Sequence, residues 1–321
     1  MRKLALILSL IMILSVLAVP ALAEGTQLSD ADLAQLEGLL GEEGDTGDYR
    51  VHIEADDLSI TEGLNEDWMN ILLMGADNDN PNQISGRTDA MLILSVNTVT
   101  GETKLSSIVR DLYVDLPVPN SNPWTDRINT ACAYGGPYFA MKTVNEIFGL
   151  NISRYFIVNF KGFEKIVDDL GGVDIEISQN EAAQIYEWSQ QRAEGGTVAH
   201  LNGAQALAYV RIRVLDNNFG RNERQRKFLI SLFNKVTSEN DINQIFKLAE
   251  NMLTSMDTNV SAADMVTLIF NVLPNIKELQ TFSCPQDGEY TFYTTKSGAA
   301  VVLAKDMDVV AGSLRAFIYG E

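Results

Sequence analysis

The sequence predicts an α/β fold with a mixed central β-sheet flanked by helices. Three observations predict it. Residues 69–74 (MNILLM) and 91–96 (MLILSV) are short apolar runs of the kind that form buried central strands. Residues 98–102 (TVTGE) carry a hairpin-turn signal leading into residues 104–109, so at least one strand pair is antiparallel. Residues 155–160 (YFIVNF) and 173–177 (VDIEI) read as strands separated by a helical stretch, 162–170, that Gly171-Gly172 ends. Strand-helix-strand alternation implies a sheet with helices on its faces.

In chain order, Arg2 and Lys3 precede an uncharged run, residues 4–23, ending Ala21-Leu22-Ala23. This is the basic, apolar and small-x-small pattern of an export signal, and the run is also long enough to span a bilayer uncut. Residues 1–23 therefore read as a signal peptide or a membrane anchor, with the body of the protein outside the membrane. In that oxidising setting Cys132 and Cys284 have the option of pairing, but two buried free thiols are the preferred reading. Residues 24–67 hold fourteen acids and one base, a local charge of −13, with glycines at 41, 44 and 47. They read as a solvated acidic tether with room for a short amphipathic helix near 30–40. Order is expected from Trp68 onward, and residues 68–321 as one domain. Residues 224–238, 242–256 and 262–273 have helical apolar spacing. Strands return near 279–283 and 290–294, followed by a final helix.

The net charge of −19 counts against a nucleic-acid partner, because such affinity rests on cations that neutralise phosphates. The charge is uneven, however: residues 205–227 carry a local +4. No phosphate-loop, nucleophile-elbow, HExxH or zinc-spaced cysteine motif is present, and the only histidines are His52 and His200. Chemistry is therefore expected from arginine and aspartate. Arg211 and Arg213 have i, i+2 spacing in a β-branched context, residues 210–214, which on a strand sends both guanidinium groups from one face. Arg221, Arg224 and Gln225 share one face of a helix that starts after the loop 215–220. Strand arginines converging on a helix amino terminus suit a phosphate or diphosphate. Arg87-Thr88-Asp89 opens the second strand and Arg110-Asp111 follows the third, so pairing of those strands brings Asp89 and Arg110 to one edge. A carboxylate among phosphate-binding arginines is explained by a bridging Mg2+; an Arg–Asp pair that only fixes strand ends has the same signature.

The segments GRTDAMLILSVN (86–97), LSSIVRDLYVDLP (105–117), RINTACAYGGP (127–137), FKGFEKIVDDLGGVDI (160–175), LNGAQALAYVRIR (201–213) and FGRNERQRKFL (219–229) occur in order. Together they resemble the LytR-CpsA-Psr family of Gram-positive envelope proteins, closely over residues 68–238. The resemblance implies an extracytoplasmic phosphotransferase that moves a glycopolymer, such as teichoic acid or capsular polysaccharide, from a polyprenyl diphosphate carrier to a peptidoglycan hydroxyl. It implies a polyprenyl-lipid tunnel in the core, Mg2+ (or Mn2+) as cofactor, and association with the outer face of the membrane or with the wall. By position, it makes Asp89 the metal-associated aspartate, with Asp111 beside it, and Arg110 the arginine most tied to activity. Arg211, Arg213, Arg221 and Gln225 match its diphosphate-binding set, with Arg224 beside them, and Arg87, Arg127 and Asn129 match neighbouring motif positions.

Two departures stand out. Val109 replaces a usual proline. Asn218 replaces a usual aspartate, and an amide accepts no proton from an incoming hydroxyl, which leaves Asp216 as the candidate base. The competing readings are a polyprenyl (di)phosphate-binding or sensing module without transfer, and a polyprenyl diphosphate hydrolase.

Overall fold

The structure is a computed structural model. It describes residues 49–76, 86–212, 214–215, 224, 227–228, 230–231, 235, 256–261, 264, 267–268 and 279–320. The leader 1–23, the tether 24–48 and the helix expected near 30–40 lie outside the described residues, as does most of the three later helical stretches.

The central sheet has six strands in the order β10 (Leu279–Cys284), β3 (Thr103–Ile108), β2 (Thr88–Asn97), β1 (Trp68–Ala76), β6 (Arg154–Val158) and β9 (Met256–Thr258). β1 (Trp68–Ala76) and β2 (Thr88–Asn97) are almost wholly buried, as their unbroken apolar runs require. β2 and β3 (Thr103–Ile108) form the expected antiparallel pair, turned through residues 98–102. β1 pairs in parallel with β6 (Arg154–Val158), β3 in parallel with β10 (Leu279–Cys284), and β6 antiparallel with β9 (Met256–Thr258). The sheet is thus mixed, as predicted. Met256, expected to end a helix, instead opens β9.

Helix α1 (Ala131–Phe148) and the last helix pack on the sheet face that carries Leu72, Met74, Met91 and Ile93. Inside α1, Gly135 and Gly136 have non-helical backbone and Pro137 follows, so the element is two helices joined at a kink. Gly136 has φ +66°, and its Cα lies against the Tyr49 ring; a side chain there meets both strain and a clash. Cys132 and Cys284 are free thiols buried in this core.

Order begins before Trp68. Val51 and Leu58 are buried in the core, Val51 N donates to Tyr134 O, and Thr61 N donates to Leu150 O. Residues 49–67, assigned to the tether by their acidity, form a strap along α1. Their acids are exposed, and the attachment is made by a few apolar side chains, by the backbone and by an ion pair of Asp57 with Lys142 of α1.

The β6 crossover also differs in detail. Asn159 caps α2 (Phe160–Asp169) by accepting from Gly162 N, so Phe160 is helical rather than the end of a strand. β7 (Val173–Ile177) does not join the central sheet but pairs with β8 (Thr197–Leu201) in a two-stranded sheet. Its alternation of buried Val173, Ile175 and Ile177 with exposed Asp174 and Glu176 belongs to a strand with one wet face. Between them, α3 (Gln179–Ser189) begins with a capping box, Ser178 and Glu181.

Residues 210–214, expected as a strand, are the clearest correction. α4 (Gly203–Arg211) starts at a second capping box, Asn202 and Gln205, and runs through Arg211; Ile212 is its C-cap. Capping at Asn202 and the packing of Leu207, Ala208 and Tyr209 override the β-branched residues near its end. α4 meets α2 where Gly203 N donates to Asp168 Oδ1 at 2.7 Å. A Cβ on Gly203 would collide with Glu164 O, so Gly203→Ala is expected to part the two helices at a cost of about 1–3 kcal/mol, read as a lower urea midpoint.

The strand expected near 290–294 is β11 (Tyr290–Thr294); it forms a hairpin with β12 (Ala300–Ala304), a strand the sequence did not signal. α5 (Met307–Tyr319) closes the chain. Lys104 Nζ donates to Ile318 O at 3.1 Å and lies 4.4 Å from the Trp68 ring centroid, placing a cation where the α5 dipole is negative.

Candidate functional site

β1, β3, β6 and β10 run in one direction, and their carboxyl ends share one edge of the sheet. In open α/β sheets that edge is where ligands bind. Asp89 lies at the start of β2 and Arg110 lies two residues beyond β3, so the register pairing Met91 with Ile108 brings both to it. Arg110 Nη1 is 2.7 Å from Asp89 Oδ1, and Arg110 Nε donates to Asp111 Oδ2 at 3.2 Å. Arg127 Nη1 lies 3.8 Å from Asp111 Oδ1. These four side chains are 12–23% exposed, enough to reach a ligand yet removed from most of the solvent screening.

Burial opposes ionisation of Asp89. Of the described residues Arg110 opposes that penalty, its charge and its hydrogen bond both favouring the carboxylate. Arg110 is gripped on two sides, and a guanidinium has five N–H donors. It therefore stays oriented by two carboxylates with donors to spare.

Arg127 arrives through a small antiparallel pair, β4 (Tyr113–Leu116) and β5 (Trp124–Arg127), in which Tyr113 faces Arg127. A 3-10 turn, Ile128–Thr130, follows. There Ile128 N donates to Leu112 O and Asn129 N donates to Arg110 O, which ties Arg127 and Asn129 to the backbone around Arg110. Arg127 Nε and Asn129 Oδ1 are buried without a hydrogen-bond partner among the described residues. Buried polar groups left open at such a cluster are costly, and a ligand or water is the usual resolution.

Tyr134 donates its hydroxyl to Asp126 Oδ2 at 2.8 Å, and Trp124 lies edge-on to its ring. Burial and Asp126 push the Tyr134 hydroxyl pKa up, while the charge of the exposed Arg87 opposes them. Sequence reading missed Tyr134 and Asp126; the signal was the Gly135-Gly136-Pro137 kink, which turns Tyr134 out of a regular helix.

The expected diphosphate set divides. Arg211, at the end of α4, stands 4.7 Å from the Trp188 ring centroid and 5.9 Å from that of Phe160. Phe160 lies two residues beyond the carboxyl end of β6, so Arg211 is at the same sheet edge as Arg110. Arg224 is placed differently from expectation. Its side chain is 5% exposed, with Nη1 3.4 Å from Glu181 Oε1 and Nη2 donating to Ile212 O, so it joins α3 to the end of α4. Arg213, Asp216, Asn218, Arg221 and Gln225 lie outside the described residues.

Asp89 and Asp111 fit a Mg2+ that takes one or two carboxylates from protein and the rest from phosphate oxygens and water. They do not form an all-protein cage: among the described residues no three His, Cys, Asp or Glu side chains gather as ligands. Among those residues, too, no helix is long and apolar enough to cross a membrane.

The LytR_cpsA_psr family profile matches residues 42–309. Two relatives carry the name polyisoprenyl-teichoic acid–peptidoglycan teichoic acid transferase TagU. The one from Enterococcus faecalis is 31% identical over 63% of this chain and 64% of its own length, so this chain spans just under two thirds of that relative. The one from Oceanobacillus iheyensis is 31% identical over 70% of this chain and 69% of its own. A solved structure described as LytR-CPS2A-psr family protein YwtF (TagT) with bound octaprenyl pyrophosphate lipid superposes with TM-score 0.59. It is 24% identical and covers 80% of this chain and 92% of that one. With a profile match that spans the sheet, the arginine–aspartate edge and the β11–β12 hairpin, this chain belongs to the LytR-CpsA-Psr family.

Proposed function

We propose that this protein transfers a glycopolymer from a polyprenyl diphosphate carrier to a peptidoglycan hydroxyl, leaving a phosphodiester. The observation that carries the reading is Arg110, held between Asp89 and Asp111 at the carboxyl edge of the sheet with Arg127 alongside. The names of the two relatives support the same donor and acceptor classes.

In this reading, the acceptor oxygen attacks the phosphorus that bears the glycan. A new P–O bond forms, the bond to the second phosphate breaks, and polyprenyl phosphate departs with the bridging oxygen. Arg110, Arg127, Arg87 and Arg211 orient the diphosphate and neutralise charge on its oxygens. Asp89 and Asp111 hold Mg2+ (or Mn2+), which when bound adds charge neutralisation at the same oxygens. Asp216 takes the hydroxyl proton in place of the amide at Asn218. Near-normal transfer by Asp216→Asn would remove it from that role, whereas a loss with donor binding retained supports it.

The polyprenyl chain lies within the apolar body in this proposal, and the protein works on the outer face of the cytoplasmic membrane or in the wall of a Gram-positive bacterium, tethered or released through residues 1–23. The test is incubation of the full chain with lipid-linked oligosaccharide, Mg2+ and a peptidoglycan acceptor. Sugar joined to the acceptor is the expected product. Released phosphate without transfer overturns the reading in favour of a hydrolase, and bound lipid with neither product overturns it in favour of a binding module.

A further inference from the structure

The β11–β12 hairpin adjoins the arginine–aspartate edge through the backbone. Val302 N donates to Asp111 O at 2.9 Å, and Leu112 forms a bridge with Val302. Between hairpin and edge lies a cleft of about 190 Å³ lined by Asp111, Phe292, Tyr293, Thr294 and residues of β12. Phe292 is 67% exposed and Tyr293 46%. Phe292 does not hang free, because the Tyr290 ring meets it edge-on with centroids 5.5 Å apart. Exposed, pre-oriented aromatic faces are uncommon on a surface that serves only solubility.

We propose that this cleft is the subsite for the acceptor glycan, with one sugar ring stacked by its apolar C–H face on Phe292 and a hydroxyl donating to Asp111. The inference rests on the transferase reading and adds to it the place and chemistry of the acceptor. Three features select a sugar that carries free hydroxyls over the phosphate-bearing polymer of the donor. An aromatic ring presents an apolar face with a hydrogen-bonding rim beside it, which is the surface a pyranose complements. The one charged residue lining the cleft among the described residues is Asp111, whose carboxylate accepts from hydroxyl donors, and no cation among those lining residues attracts a polymer phosphate. The cleft is also continuous with Asp111, whose other contacts are Arg110 and Arg127, so a ring on Phe292 lies next to the groups that would hold the diphosphate. It sits on the β3–β10 flank of the sheet edge, away from the β6 flank where Arg211 stands.

The test uses the full chain without donor and follows chitotetraose, a neutral N-acetylhexosamine oligosaccharide, by ligand-observed NMR titration. The wild type is expected to bind it. Phe292→Ala should weaken binding about tenfold and Phe292→Trp should restore it, with melting temperature unchanged because Phe292 is exposed. Absence of wild-type binding, equal binding by Phe292→Ala, or preferential binding of a glycerol phosphate oligomer would each overturn the proposal. In the transfer assay, Phe292→Ala should raise the KM for acceptor and leave the KM for lipid-linked donor unchanged. Saccharide binding that depends on Phe292 in a protein that transfers nothing would overturn the transferase reading and leave the sugar subsite standing.

Discussion

Arg110→Ala is expected to lower glycopolymer transfer by about 10²–10³-fold at saturating donor, the usual loss when one pre-oriented donor to a developing charge is removed. The size of the effect follows from the way Arg110 is held. Nη1 is engaged by Asp89 and Nε by Asp111, so the guanidinium pays no reorganisation when a phosphoryl oxygen arrives. Removing it also takes the cluster of Asp89, Asp111, Arg110 and Arg127 from neutral to net negative, so two partly buried carboxylates face the diphosphate with Arg127 as their remaining partner. Arg110→Lys separates the two contributions. It keeps the charge but lacks the planar fork, so it should recover only part of the loss. Retention of normal transfer by Arg110→Ala would remove Arg110 from the chemistry. Assays belong well below the variant's melting temperature, because loss of the Arg110 contacts to Asp89 and Asp111 also destabilises the fold.

The largest expected stability effect lies on the far side of the core. Asn145, fully buried in α1, donates through Nδ2 to Leu58 O and Ile152 O and accepts at Oδ1 from Ile152 N, each at 2.8 Å. Asn145→Ala strands two carbonyls and one N–H without water. We expect a loss of about 3–4 kcal/mol in unfolding free energy, measured by urea denaturation. Lys142→Met, one helical turn away, breaks an ion pair to a half-exposed Asp57 and should cost less than about 1 kcal/mol. If the two variants lose equally, Asn145 is not the anchor of residues 49–67.

The central strands and the pairing of Asp89 with Arg110 were legible because both rest on short-range rules: unbroken apolar runs, and a turn whose register fixes which residues share an edge. Four features escaped for different reasons. The strap at residues 49–67 is acidic on average, and charge counting does not register the buried Val51 and Leu58 or the backbone bonds that dock it. Arg211 sits in a β-branched context that favours a strand, but the capping box nine residues earlier starts a helix that tertiary packing carries through. Arg224 resembled its neighbours in charge, and only its burial against Glu181 separates a structural arginine from a ligand-facing one. Tyr134 is brought to the site by a kink, which leaves little periodic signal.

The three tryptophans divide the molecule optically. Trp68 is 5% exposed beneath Lys104 and edge-on to Tyr319 of the last helix, whereas Trp124 and Trp188 are 38% and 55% exposed. Trp124 rests on Tyr134 and Trp188 on Arg211, at opposite flanks of the arginine edge. A dissolved iodide quencher reaches the exposed pair and not the buried one. Its quenchable emission therefore reports on what occupies the site, while the blue-shifted, protected remainder reports whether the terminal helix is still docked, giving two independent signals without an added label.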